Sequence, residues 1–101
     1  MKITVIKLHE IGPDLLTRDQ GAPVRRRLRE TLDSGGDIRI DFNQVGAMTP
    51  SFADELLGRL LLEVGPEVFR ARVRLDSATQ DLKRLVNKVL AHRLKEFTSG
   101  A

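Results

Sequence analysis

The chain has 101 residues, 41% hydrophobic and 31% charged, with a formal net charge of +3 at pH 7, which suits one folded domain with one core. It has no cysteine, which excludes disulfides, thiolate zinc sites, iron–sulfur clusters and thiol catalysis. Four Phe with no Tyr or Trp leave the core to Leu, Val, Ile and Ala, and nowhere does an apolar run approach the ~20 residues of a membrane span.

The opening stretch Met1-Lys2-Ile3-Thr4-Val5-Ile6-Lys7-Leu8-His9 is interrupted by Lys7 and His9 and lacks a small-residue cleavage site. It reads as neither signal peptide nor membrane segment, and a cytoplasmic location is expected. Its β-branched residues predict a strand over 2–8. After Gly12-Pro13-Asp14, Leu15-Leu16 is expected to tuck under the fold. Val24, Leu28 and Leu32 recur every four residues and predict a helix over 19–33, with Arg25, Arg26, Arg27 and Arg29 off the apolar stripe. Gly35-Gly36 ends it.

Residues 37–42 alternate, with Ile38, Ile40 and Phe42 on one side and Arg39 and Asp41 on the other: a half-buried strand. Thr49 as cap and Pro50 in the first turn open a second helix that runs to about Val64. Gly65-Pro66 stops it. From 68 to 75 the sequence alternates again, so Phe69, Ala71, Val73 and Leu75 are expected inward and Arg70, Arg72 and Arg74 outward on a third strand. Ser77 with Gln80 three residues on reads as a capping box for a last helix that ends near Leu94, where His92 would cap it. The expected fold is a small two-layer α/β domain of order β-α-β-α-β-α. Its sheet is mainly parallel or mixed, because crossovers make it so. Helices lie chiefly on one face, because strands two and three carry charge on the other. The domain is expected over 1–95, with a flexible tail over 96–101.

Enzyme chemistry is poorly provided for. A Ser51–His92 dyad with a carboxylate is the only candidate, and Ser51 lacks the G-x-S-x-G setting of an exposed hydrolase nucleophile. No Gly-Lys-Ser/Thr phosphate loop occurs. Hence no catalytic, cofactor-binding or metal-ligating residue is assigned, and no membrane contact is expected. Arg25, Arg26, Arg27 and Arg29 could meet phosphates, which makes a basic nucleic-acid-binding accessory protein the alternative reading. Against it, Glu30 is placed to pair with Arg26, and no aromatic platform for bases is visible. The row Arg70, Arg72, Arg74 is either an aggregation-resistant edge or, with the first-helix arginines, a surface for an acidic partner.

The stretch from Ile40 to Leu57, Ile-Asp-Phe-Asn-Gln-Val-Gly-Ala-Met-Thr-Pro-Ser-Phe-Ala-Asp-Glu-Leu-Leu, resembles the central motif of STAS-like domains, small relatives of the bacterial anti-sigma factor antagonists. Asp41-Phe42, Val45 and Met48 hold the motif's strand end and turn, and Ser51 falls where those antagonists carry a phosphorylatable serine. Ser51-Phe52-Ala53-Asp54-Glu55 fits the STAS-like branch, as do Thr17-Arg18 and Gly21. Thr49, Pro50 and Phe52 depart from the antagonists' Asp, Ser and Gly, which leaves the fold comfortable and the kinase-regulated switch in question.

The resemblance implies a non-catalytic regulatory module of a bacterial cytoplasm that docks a protein partner through the start of the second helix. A histidine-kinase-like ATPase of the anti-sigma type is the implied partner. Thr49, Ser51, Glu55, Gly58 and Leu62 are the expected docking residues, because on a helical wheel Ser51, Glu55, Gly58 and Leu62 share a stripe off the main apolar face. Thr49 and Ser51 also suit a helix start for local reasons, as caps. A phosphate on Ser51 would sit well there too, where unpaired N–H groups and the helix dipole favour negative charge.

Overall fold

A computed structural model of the chain describes residues 2–100. Strand β1 (Ile3–Lys7) runs into a short 3₁₀ turn over Leu8–Glu10, and β2 (Asp14–Leu15) follows. Helix α1 (Arg18–Asp33) leads to β3 (Asp37–Asp41) and then β4 (Ala47–Met48). A helical rod comes next, made of α2 (Pro50–Ala53), a π turn (Asp54–Gly58) and α3 (Arg59–Val64). Helix α4 (Pro66–Arg72), β5 (Val73–Asp76) and α5 (Gln80–Ser99) complete the chain.

The main sheet has order β1-β3-β5 and is parallel throughout, with Ile6 opposite Ile40 and Ile38 opposite Val73. Side chains alternate across a sheet, so Ile6, Ile38, Ile40 and Val73 share one face. All four are buried, in one cluster with Leu28 of α1, Phe52, Leu56, Leu57 and Leu60 of the rod and Val86 of α5. The opposite face carries Ile3, Val5, Arg39 and Arg74, all exposed. Helices therefore cover one face and leave the other open, as the charge on that face requires.

The third strand is shorter than expected. Gly65 ends α3 at φ +88°, a conformation that costs glycine little, and Pro66 restarts a helix at its first position. Glu67 in the first turn of α4 and Arg70 and Arg72 in the last suit its dipole. The expected row of Arg70, Arg72 and Arg74 is thus split: the first two lie on α4 and only Arg74 on the sheet. Arg72 turns back to Asp37 at 3.2 Å and to the Gly36 carbonyl. Phe69 and Val73 are buried, whereas Ala71 and Leu75 are exposed.

Other expectations need correction. Ser77 adopts φ +61°, and it is Thr79 that caps α5, accepting from the Leu82 N–H at 3.2 Å. Helix α5 continues to Ser99, so Glu96–Ser99 are helical and not a loose tail, and His92 lies within the helix and does not cap it. Leu15 is fully buried but Leu16 is 47% exposed.

Candidate functional site

Two helix starts converge beside the small parallel sheet that β2 forms with β4. Thr17 caps α1 in a full capping box with Gln20. Thr49 caps α2, accepting from the Phe52 N–H at 3.2 Å. Its hydroxyl also donates to the Leu16 carbonyl at 2.6 Å, and its N–H donates to Leu15 at 3.0 Å. Thr49 thereby locks the start of the rod to the start of α1. The motif residues before it serve the same end: Phe42 is buried, and Val45 and Met48 pack against the core.

A cleft of about 530 Å³ lies between these starts and α5. Ser51 and Pro50 line it from the rod, Arg18 from α1, and Leu85, Lys88, Val89 and His92 from α5. Ser51, Arg18, Lys88 and His92 are exposed, while Leu85 and Val89 are half-buried. No hydrogen bond holds the Ser51 hydroxyl among the described residues. The cleft is thus an apolar floor with a basic rim and a free hydroxyl on one wall.

Asp54 of the π turn and Arg93 of α5 complete the lining, and Glu55 lies next to Asp54 outside it. Arg93 grips Asp54 through two bonds of 2.7 Å, and Arg18 adds a third contact at 2.9 Å. Hydrogen bonding from Arg93, helped by Arg18, holds the Asp54 carboxyl at about 2. Glu55, 5% exposed, lies under α1, where Arg25 and Arg18 contact its carboxylate. Burial pushes the Glu55 carboxyl up, but hydrogen bonds from Arg25 and Arg18 prevail and hold it below its ordinary value. Gly21 lets α1 come this close: a Cβ there would lie 3.3 Å from Glu55 Cβ.

The expected docking stripe is accordingly broken up. Thr49 is half-buried as a cap, Ser51 is exposed, Leu62 is half-buried, and Glu55 and Gly58 are buried beneath α1 and α5. Helix α1 covers Glu55 from one side, with Gly21 against it, and α5 covers Gly58 from the other, with Val89 and Arg93 against it. The basic helix is also less free than its composition implies. Arg25 is bonded to Glu55 and Glu63, and Arg29 to Asp33 and Glu63. Arg26 and Arg27 have no ion pair among the described residues, so the expected Arg26–Glu30 pair is not formed. Ser51 and His92 do share the cleft, yet no hydrogen bond joins them. Asp54, which also lines the cleft, is bonded to Arg18 and Arg93, and no hydrogen bond joins it to His92 among the described residues.

The sequence reading did not single out Asp54, Lys88 or Arg93. Asp54 and Glu55 fall off the apolar face of their helix, where carboxylates are ordinary, so nothing local signalled that they would need arginine partners from α1 and α5.

One-sided parallel sheet, helices on the covered face and a motif turn feeding an exposed serine define a STAS-like scaffold. The family model described as STAS-like domain of unknown function (DUF4325) matches residues 20–83, and the chain belongs to that family. No curated protein and no solved structure matches the chain. STAS-like membership points to a regulatory or interaction module. No described helix is long and apolar enough to cross a membrane.

Proposed function

We propose that the domain is a non-catalytic interaction module that docks a protein partner at the cleft beside the start of the rod, with Ser51 in the contact. The observation that carries this is the placement of Ser51: exposed, unbonded, and on the wall of a cleft with an apolar floor and a basic rim. Such a surface fits a partner that inserts an apolar side chain flanked by acidic ones. Following the resemblance, the partner class is a histidine-kinase-like ATPase. Phosphorylation of Ser51 would add about −1.5 to −2 charges and so regulate docking. The nucleic-acid alternative loses ground because Arg25 and Arg29 are already engaged by carboxylates.

The test is titration of the purified domain with the histidine-kinase-like ATPase of its own genome, followed by fluorescence anisotropy. Ser51→Ala should bind nearly as the parent does, and Ser51→Asp about tenfold or more weakly, since the new charge must be desolvated in the contact. If Ser51→Asp binds as tightly as the parent, Ser51 is a helix-start residue and nothing more.

A further inference from the structure

Strand β1 is an edge of the main sheet, paired only with β3. The Lys2 carbonyl accepts from the Asp37 N–H at 2.9 Å. In a parallel ladder, alternate residues turn both backbone groups to the partner. Thr4 and Ile6 therefore bond to β3, while Ile3, Val5 and Lys7 point theirs outward. No hydrogen bond reaches the outward groups of Ile3 and Val5 among the described residues, while the Lys7 carbonyl is taken by the 3₁₀ turn that Lys7 caps. Ile3 is 63% exposed and Val5 41%, although β-branched apolar side chains on an open edge invite pairing with another strand.

Beside this edge runs a groove of about 450 Å³, lined by Lys2, Thr4 and Ile6 on one side and by Arg27, Glu30 and Thr31 of α1 on the other. Arg27 and Glu30 are exposed, and neither has an ion pair among the described residues. Their position along the helix matters. Lys2 lies level with the end of α1, its carbonyl 3.5 Å from where a Gly36 Cβ would stand. Three strand residues further on, at roughly 3.3 Å each, Val5 lies level with the helix turn about two turns back, at 1.5 Å per residue. That turn carries Arg27 and Glu30.

We propose that the β1 edge is a homodimer interface, in which a second copy adds its β1 antiparallel about a two-fold axis at Val5. The outward-facing set is symmetric about Val5. The two-fold therefore pairs Val5 with Val5 of the partner subunit through two hydrogen bonds, and on either side Lys7 donates its N–H to the carbonyl of Ile3 of the partner subunit. The two sheets become one continuous sheet, and the two α1 helices lie antiparallel on the same side of it. Because the axis is level with the turn bearing Arg27 and Glu30, Arg27 faces Glu30 of the partner subunit across the joined grooves. This charge complementarity selects a second copy over an arbitrary strand, since the same two residues supply both signs. The surface is separate from the Ser51 cleft and leaves it open.

The test is sedimentation equilibrium of the whole chain over a concentration series up to about 1 mM, which reaches weak dimers of small interfaces. A reversible dimer is expected. Val5→Pro removes one outward N–H and no bond to β3, so the domain should stay folded by circular dichroism while dimerisation weakens at least about tenfold. Arg27→Glu and Glu30→Arg should each weaken it, and the double swap should restore it. A monomer at every concentration would overturn the proposal and leave the edge to a foreign strand. So would a dimer indifferent to the charge swaps and their recombination.

Discussion

Arg93 Nε donates to Asp54 Oδ1, and Arg93 Nη2 to Asp54 Oδ2, both at 2.7 Å, so a planar two-point bridge ties α5 to the π turn of the rod. Such bidentate bridges are about twice as strong as neutral hydrogen bonds and fix geometry as well. The Asp54 side chain is 13% exposed and that of Arg93 20%. Both residues also line the Ser51 cleft.

Acid should loosen this clamp first. The Asp54 carboxyl is lowered from 3.8 to about 2 in the folded chain, so the unfolded chain binds more protons as pH falls. Its contribution is complete above about pH 4 and disappears as pH drops toward about 2, on the order of 2 kcal/mol in all. Urea unfolding across that range should show the loss. Asp54→Asn should start from lower stability at neutral pH and flatten the acid limb. An unchanged limb would mean that the bridge does not hold in solution.

Neighbouring arginines of α1 should behave very differently. Arg25 reaches the buried Glu55 carboxylate and also donates to the Glu55 backbone carbonyl at 2.8 Å. Arg25→Gln strips a buried carboxylate of its nearest cation and should cost about 3 kcal/mol. Arg26 is exposed, and Arg26→Gln should stay within about 0.5 kcal/mol of the parent. Thermal melts of the two variants check this contrast. Equal melting temperatures would contradict the burial of Glu55 under α1.

Replacing Gly58 should be harmful despite the better helix propensity of alanine. A Cβ there would collide with Asp54 Oδ1, and it would come within 3.0 Å of Arg93 Cγ and 3.2 Å of Val89 Cγ1. Asp54 has no freedom to yield, being held by two arginines. Gly58→Ala should therefore lose about 1–3 kcal/mol through overpacking. In an Asp54→Ala background the loss should shrink, so a double-mutant cycle on melting or denaturant midpoints would expose the coupling.

Local chemistry made much of the fold legible. Thr49 and Pro50 marked a helix start because caps act within one turn of chain. Residues 37–42 read as a half-buried strand because alternation reports one covered face directly. The segment 66–76 was misjudged because two periods overlap there. Phe69 and Val73 are four apart, which suits a helix, yet with Ala71 and Leu75 they also alternate. Pro66 just after Gly65 was the local sign of a new helix, and it outweighed the alternation.

The sequence by itself determined the STAS-like class, the one-sided sheet and the start of the rod at Thr49-Pro50-Ser51, since each rests on contacts between residues near in the chain or on a period of burial. Only the tertiary structure decided which charges are free. Arg18, Arg25 and Arg93 find Asp54 and Glu55 across 36, 30 and 39 residues of chain, because α1 and α5 pack against the rod on either side of those carboxylates. A helical wheel shows one apolar face and nothing of the neighbouring helices, so it placed Glu55 and Gly58 on the surface. Helices α1 and α5 flank the rod and bury them, while Ser51 stays exposed on the wall of the cleft.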